Sequence, residues 1–292
     1  RGLGDVYKRQ VSPLSAEEAS NHLFSENGVS RVLAGGTDVL VQMKSGIVEP
    51  DLIVDIKKIP GIREIVALDG FYRIGAAVSG SEIKDHDDIS KMIPGVVEAL
   101  DLIGSTQIQG RCTMVGNLCN ASPAADSVPA LIAVEAKVNI FSPEGNRSCN
   151  VKEIPIAPGK TSLKKGEFIV SIDIPYRPKF SSDSYLRFTP RTEMDIAVVS
   201  AAVALTMSKD GFCEKAKVVL GAVAPTVKIV HEASKVLIGS RLDQNTIKEM
   251  SQFCIDACSP ISDKRGTVEF RTDVAGVLAA RAAKKAYSRA GF

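Results

Sequence analysis

Two adjacent glycines, Gly35 and Gly36, directly follow a short apolar stretch that is typical of a β-strand, Val29 to Leu33. Because glycine has no Cβ and tolerates positive φ, consecutive backbone amides at such a turn can converge on an anion. Thr37 adds a hydroxyl donor beside them. The segment Ala34 to Asp38 therefore predicts a strand followed by an anion-binding loop, and an ordinary tight glycine turn is the alternative.

A second segment, Gly104 to Pro129, is unusually rich in small and polar residues. It ends in a carboxylate, Asp126, immediately before an expected helix. This inventory fits a bulky phosphorylated ligand, with amides and hydroxyls for phosphate and Asp126 for a ribose hydroxyl. Asp126 as a simple helix cap is the alternative. Two such loops, about 70–80 residues apart, are hard to explain as ordinary turns.

The composition excludes several classes of protein. The 292 residues carry 36 lysines and arginines against 34 aspartates and glutamates, a net charge of +2, and 45% of them are apolar. This balance is typical of a soluble globular protein and argues against disorder and against a nucleic-acid binder. No apolar run approaches the ~20 residues that span a bilayer. Domains usually hold about 100–200 residues, so we expect two.

Metal-site and nucleotidase motifs are missing from the sequence. Six cysteines and three histidines are scattered, with no C-x-x-C pair and no H-x-x-x-H pattern. We therefore expect no metal site in this chain and free thiols in a reducing cytoplasm. Gly159-Lys160-Thr161 is similar to the end of a P-loop, but the first glycine of that motif is absent. The sequences G-x-G-x-x-G and G-x-S-x-G are also absent, which disfavours a Rossmann site and a hydrolase.

Periodicity and turn signals predict an α+β organisation. A capping box at Ser15 and Glu18 begins a helix that ends near Gly28, and a linker, Pro175 to Ser184, precedes a change in pattern. Before the linker we predict strands over 52–56 and 168–174, helices over 94–103 and 127–136, and a hairpin over 138–151. After it we predict antiparallel strands over 185–188, 198–207 and 215–223 and helices over 230–238, 244–257 and 272–289.

These segments carry a resemblance to a known family. The motifs are Ala34-Gly35-Gly36-Thr37-Asp38, Thr113-Met114-Val115-Gly116-Asn117 and Asn120-Ala121-Ser122-Pro123-Ala124-Ala125-Asp126. In this order and spacing they resemble the FAD-binding medium subunit of molybdenum hydroxylases, which include xanthine dehydrogenase and carbon monoxide dehydrogenase. Further matches lie at Glu167 to Pro175, Met194 to Ala197, Gly221 to Thr226 and Glu269 to Arg271. The likeness covers essentially residues 11–290.

The resemblance implies a two-domain α+β flavoprotein. Residues 11–177 would form a vanillyl-alcohol-oxidase-like (PCMH-type) FAD-binding domain with two subdomains. Residues 183–290 would form a smaller α+β carbon-monoxide-dehydrogenase-flavoprotein C-terminal domain. Residues 1–10 show no periodicity and are assigned to neither domain.

The resemblance also implies which residues contact FAD. The two glycine-rich segments would hold the pyrophosphate, while Val170 and Arg187 would lie at the isoalloxazine ring. Relatives often have lysine in place of Arg187. The positive charge of Arg187 would stabilise negative charge on the reduced ring. The residues expected to bind the cofactor are Leu33, Ala34, Gly35, Gly36, Thr37, Asp38, Thr106, Thr113, Val115, Gly116, Asn117, Ser122, Ala124, Asp126, Val170 and Arg187.

Position 115 departs from the family pattern, which usually reads T-x-G-G-N where this chain has Val115 in place of the first glycine. A Cβ at that position is expected to restrict positive φ and to narrow the approach to phosphate. Because Thr113 and Gly116 are retained, we still expect FAD to bind.

By the same resemblance, the chain is an oxidoreductase subunit that transfers electrons. A molybdopterin-binding large subunit would hydroxylate the substrate, and an iron–sulfur small subunit would pass electrons to this FAD, which would reduce NAD⁺ or another acceptor. Two alternatives stay open: a stand-alone flavin oxidase of the vanillyl-alcohol-oxidase type, and a structural subunit that no longer binds FAD. The oxidase is disfavoured because no histidine lies in the glycine-rich loops for covalent attachment of FAD.

Overall fold

The computed structural model describes residues 9–191 and 194–292. The first part of the chain contains β1 (Arg9–Val11), α1 (Ala16–Ser25), β2 (Ser30–Leu33), α2 (Val39–Lys44), β3 (Leu52–Asp55), β4 (Ile65–Leu68), β5 (Phe71–Gly75), α3 (Gly80–Lys84), α4 (Asp87–Met92), α5 (Pro94–Asp101), α6 (Thr106–Gln109), α7 (Met114–Cys119), α8 (Ser127–Ala133), β6 (Lys137–Phe141), β7 (Arg147–Asn150), β8 (Pro155–Ala157), β9 (Lys160–Thr161) and β10 (Phe168–Pro175). The strands and helices predicted here are present, with ends shifted by no more than three residues.

Two larger sheets organise this part. Strands β1, β3 and β2 form a parallel sheet in that order, and β4, β5, β10, β6 and β7 form an antiparallel one. Residues 1–8 of the unassigned N-terminal segment lie outside the described residues, whereas Arg9 and Gln10 belong to β1. The sequence predicts no helix or strand over residues 57–93. The structure has β4, β5, α3 and α4 there.

Helix α1 begins where its capping signal predicts. The Ser15 hydroxyl accepts a hydrogen bond from the Glu18 amide at 3.1 Å, which satisfies one of the free amides of the first turn. The Glu18 carboxylate accepts from the Leu14 amide at 2.8 Å. The predicted reciprocal bond to Ser15 is therefore replaced by a bond one residue earlier.

The second part of the chain contains β11 (Ser181–Phe188), β12 (Val199–Met207), β13 (Cys213–Gly221), β14 (Lys228–Ile229), α9 (His231–Leu237), α10 (Gln244–Asp256) and α11 (Val268–Arg289). Its strands form one antiparallel sheet in sequence order. Every residue of β12 is buried. Small side chains of α11 pack on this sheet, namely Ala275, Ala279, Ala282, Ala283 and Ala286.

The connection between the two parts is shorter than the sequence predicts. Strand β10 ends at Pro175 and β11 begins at Ser181, so only residues 176–180 are irregular. The serines that suggested an exposed linker are strand residues, and Ser182 and Ser184 are buried. The start of α11 also differs from the predicted residue 272, because the side chain of Thr267 caps the helix at Val268.

Strand β11 joins the two parts of the molecule. Asp183 accepts a hydrogen bond from the Val96 amide of α5 at 3.2 Å, and the Tyr185 amide donates to the Glu98 carboxylate at 3.0 Å. Between them, Ser184 faces the other way and donates to a carbonyl of α11 at 2.8 Å. Tyr185 is among the largest fully buried side chains and belongs to the core of the first part. This alternation follows from the two-residue period of a strand.

Candidate cofactor-binding site

A cavity of about 530 Å³ lies beside the parallel sheet. Its walls come from β2 and the loop after it, from α2, from α7 and from residues 159–169. Nine of the residues expected to bind the cofactor line it: Ala34, Gly35, Gly36, Thr37, Asp38, Thr113, Val115, Gly116 and Asn117. The structure therefore brings the two glycine-rich segments to one cavity, although they are far apart in the chain.

The other expected residues lie outside the cavity wall. They are Leu33, Thr106, Ser122, Ala124, Asp126, Val170 and Arg187. Conversely, several wall residues are not predicted from the sequence, among them Ile47, Val48, Lys164, Lys165, Phe168 and Ile169. No local motif marks these residues, because tertiary packing brings residues 47–48 and 164–169, which are far apart in the chain, to the same cavity.

The first glycine-rich loop presents unpaired amides. Within the described residues, the N–H groups of the four residues Gly35 to Asp38 donate to no protein acceptor. Gly36 adopts a φ of +80°, which a residue with a Cβ rarely adopts. The Asp38 side chain forms no cap on α2, and burial raises the pKa of its carboxyl. Consecutive free amides in a turn of this kind form an anion-binding concavity.

Gly35 fixes this loop against the second segment. A Cβ built on Gly35 would lie 1.9 Å from the Arg111 carbonyl oxygen and 3.2 Å from the Cys112 Cα. The two backbones therefore touch directly, and only glycine fits at this position. The second segment is itself held by the Gly80 amide, which donates to the Cys112 carbonyl at 2.9 Å.

The second glycine-rich segment is helical where the family motif lies. Thr113 caps α7, its hydroxyl accepting from the Gly116 amide at 2.9 Å, and Val115 lies in the first turn with a buried side chain. The expectation that a Cβ at position 115 restricts a positive φ is wrong, because Val115 has helical backbone and no positive φ. Its side chain packs into the core and also forms part of the cavity wall.

A buried polar cluster adjoins the cavity at Asn117. The side-chain oxygen of Asn117, Oδ1, accepts from both the amide and the hydroxyl of Ser127, at 3.1 and 2.7 Å. The preceding residue, Asp126, accepts from the Tyr185 hydroxyl at 2.7 Å and from the Arg187 guanidinium at 2.8 Å. The alternative role of Asp126 as a helix cap is wrong, because its side chain makes no cap bond to α8.

Electrostatics in this cluster follow from burial. The side chains of Asp126 and Arg187 are only 10% and 6% exposed. Burial raises the pKa of the Asp126 carboxyl to about 6, and the Arg187 guanidinium and the Tyr185 hydroxyl oppose that rise. Burial also raises the pKa of Tyr185 well above its usual range. The cluster therefore pairs a buried carboxyl with a buried guanidinium, and their contact fixes the position of both groups.

Another part of the cavity wall is a firmly anchored turn, residues 164–167. The Glu167 carboxylate accepts two hydrogen bonds from the Arg147 guanidinium, at 2.8 and 2.7 Å, and a third from the Lys164 amide at 2.8 Å. Ser20 of α1 donates to the Gly166 carbonyl at 2.7 Å. These bonds place the backbone that carries Lys164 and Lys165 at the cavity.

Glycine-rich backbone that faces a cavity beside a parallel sheet is typical of a protein that binds a phosphorylated ligand. The family described as the FAD binding domain in molybdopterin dehydrogenase matches residues 7–177, and the CO dehydrogenase flavoprotein C-terminal domain matches residues 184–286. The chain therefore belongs to the family of FAD-binding medium subunits of molybdenum hydroxylases. Both the resemblance and the two-domain α+β fold class expected from the sequence are confirmed.

Individual relatives agree over almost the whole chain. The carbon monoxide dehydrogenase medium chain of Afipia carboxidovorans is 31% identical over 278 residues, which is 95% of this chain and 96% of that protein. The xanthine dehydrogenase FAD-binding subunit of Escherichia coli O157:H7 is 29% identical over 272 residues, 92% of this chain and 93% of that protein. A chain of reconstituted CO dehydrogenase from Oligotropha carboxidovorans superposes with a TM-score of 0.91 at 30% identity, covering 96% and 98% of the two chains.

The structure contains no helix over residues 9–191 and 194–292 that is long and apolar enough to cross a membrane.

Replacing Gly35 by alanine is expected to separate the two glycine-rich segments. The added methyl group would meet the Arg111 backbone, so the loop that carries the four unpaired amides must shift. We expect FAD affinity to fall about tenfold, since overpacking of this kind costs about 1–3 kcal/mol and about 1.4 kcal/mol corresponds to a factor of ten. Titration of the FAD-free chain with FAD measures the change.

Gly110→Ala is the matched control for this substitution. A Cβ at Gly110 would lie no closer than 3.7 Å to the atoms around it, although the residue is one position from Arg111. Equal FAD affinity in the two alanine variants would contradict the role given to Gly35.

Proposed function

We propose that this chain passes electrons from iron–sulfur clusters through its FAD to NAD⁺ or another acceptor within a heteromeric molybdenum hydroxylase. The observation that carries the proposal is the row of four unpaired amides, Gly35 to Asp38, at a cavity that the second glycine-rich segment also lines. When bound, FAD supplies one- and two-electron redox chemistry that side chains lack. The protein's part is to bind the cofactor, orient it and set its electrostatic surroundings.

The cavity has the size and the lining of a ligand-binding site. Its volume falls within the range of about 300–1,000 Å³ that small-molecule sites occupy. The amides of Gly35 to Asp38 would hold the pyrophosphate, since they supply several donors at fixed positions without a counter-charge. Apolar wall residues such as Phe168 and Val48 would cover the uncharged parts of the ligand.

The polar cluster beyond Asn117 supports an orientation for FAD. Asn117 lines the cavity, and through Ser127 it contacts the backbone next to Asp126. The isoalloxazine ring would therefore extend from the amide loop toward Arg187, and the adenosine toward residues 164–169. Asp126 would hold the guanidinium in place, and Arg187 would stabilise negative charge that the ring gains on reduction. The other residues expected at the cofactor would lie behind the cavity wall and support it; they are Leu33, Thr106, Ser122, Ala124 and Val170.

The relatives support the partners. Proteins similar to this chain are called a medium chain and an FAD-binding subunit, which fits an assembly with an iron–sulfur small subunit and a molybdopterin-binding large subunit. Domains over 11–177 and 183–290 are supported by the two family matches and by two separate clusters of buried side chains. The six free cysteines support a reducing compartment such as the cytoplasm.

The visible spectrum of the purified chain tests cofactor binding. We expect the absorbance of oxidised flavin, and we expect heat-released cofactor to be FAD rather than FMN, because the free amides favour a pyrophosphate. Affinity purification of the chain from its native cells, followed by mass spectrometry, is expected to recover an iron–sulfur and a molybdopterin subunit. A folded, colourless chain that also binds no added FAD would favour a structural subunit, and a coloured chain without partners would favour a stand-alone oxidase.

Removing the positive charge at position 187 is expected to lower the reduction potential of the bound flavin. Without the guanidinium, negative charge on the reduced ring is less stabilised. We therefore expect the reduction potential to decrease by on the order of 30 mV, or about 1.4 kcal/mol for a two-electron couple. Equilibrium reductive titration of Arg187→Ala against a reference dye measures it, with Arg187→Lys as the charge-retaining control. An unchanged potential in Arg187→Ala would show that Arg187 does not act on the ring.

A further inference from the structure

One hydrogen bond ties helix α2 to the second glycine-rich segment. The Gln42 side-chain amide donates to the Asn120 side-chain carbonyl at 2.8 Å, in a partly buried position. Gln42 lies four residues after Asp38, and Asn120 lies three residues after Asn117. Both side chains line the cavity. The bond thus connects the two segments at a second place, apart from the backbone contact at Gly35.

Helix α2 has few other attachments to the protein. None of its residues is buried, and the exposed apolar side chains include Leu40 and Val41, at 50% and 63%. Residues 39–48, which we call the flap, comprise α2 and the turn after it. In the part of the chain that the structure describes, Gln42 is the flap side chain that forms a polar contact outside the flap and its own turn.

The turn of the flap faces the ligand cavity. Ile47 and Val48 line the cavity, and their amides donate to the Gln42 carbonyl at 2.9 and 3.4 Å. Ile47 is 75% exposed, so a ligand placed against it would remove apolar surface from water. The residue that makes the tie to Asn120 is therefore also the residue on which the ligand-facing turn is folded.

We propose that Gln42 and Asn120 are positioning residues for FAD: their hydrogen bond holds the flap closed over one end of the cavity and slows release of the cofactor. The inference rests on the proposed FAD site and adds a retention device to it. Breaking the bond leaves the amides of Gly35 to Asp38 in place, because Gly35 still contacts the second segment. The expected effect is therefore on the rate of FAD release more than on the rate of binding.

A double-mutant cycle in the full chain tests the proposed role of the Gln42–Asn120 hydrogen bond. Gln42→Met keeps the length of the side chain without its donor, and Asn120→Ala removes the acceptor. We expect each single variant to release FAD about three- to tenfold faster, in the range of one lost neutral hydrogen bond. The double variant is expected to be no faster than the faster single variant, because both substitutions break the same bond. Recovery of free FAD fluorescence after dilution measures the rate.

Tryptic cleavage after Lys44 gives a second readout that does not depend on activity. Lys44 is an exposed residue of the flap, and cleavage there requires the helix to open. With saturating FAD we expect cleavage to accelerate in both single variants by a similar factor. Gln252→Met is the matched control: Gln252 donates to Asp256 at 2.9 Å on the exposed face of α10, outside the cavity wall, and its loss should change neither rate.

Three results are distinguishable. If the effects of the two single substitutions on the FAD release rate multiply in the double variant, the proposed role of the Gln42–Asn120 hydrogen bond is contradicted. The two side chains would then act independently. Unchanged release and unchanged cleavage in the single variants, with normal FAD binding by the wild type, would overturn it as well while leaving the proposed function intact. Failure of the wild-type chain to bind FAD at all would contradict both the proposed function and the tie.

Discussion

The direct backbone contact between Gly35 and Arg111 is the constraint on which the cofactor site depends. No side chain fits between the two segments, so the loop after β2 must lie against the segment that leads into α7. Among residues 9–191 and 194–292, that placement leaves four successive amides without protein acceptors at the edge of a cavity. The second segment is held in turn by Gly80 of α3, so helices far from the first loop in sequence fix the geometry of the anion-binding turn.

Strand β11 connects the second part of the chain to the polar cluster beside the cavity. Its residues alternate between the two parts, and the tyrosine and arginine that face the first part converge on one carboxylate, Asp126. A buried ion pair of this kind is weak evidence for stability, because desolvation offsets much of the attraction. It is better understood as a device that fixes the position of a charge. On the proposed orientation of FAD, the C-terminal sheet would contribute to the electrostatic surroundings of the flavin, even though both glycine-rich segments belong to the first part alone.

Much of the fold and part of the site could be predicted from sequence, for physical reasons that differ between elements. Helix α1 and strand β10 carry strong local signals, a cap and an apolar alternation, so their positions are confirmed. The burial of Ser182 and Ser184 could not be predicted, because their partners come from tertiary packing and polarity alone suggests exposure. The prediction that position 115 requires a positive φ is wrong. A glycine that relatives have at a position implies a positive φ only where the backbone is irregular, and Val115 is helical. The partners of Asp126 lie about 60 residues away in sequence, beyond any local pattern.

Residue-resolved amide hydrogen exchange of the chain with and without FAD tests the central claim most directly, namely that the backbone of Gly35 to Asp38 holds the cofactor. These amides have no acceptor in the described part of the protein and should exchange rapidly in the FAD-free chain. Saturating FAD is predicted to slow their exchange, while amides of the distant helix α10 stay unchanged. Stoichiometric FAD binding that leaves the exchange of all four amides unaltered would contradict the account.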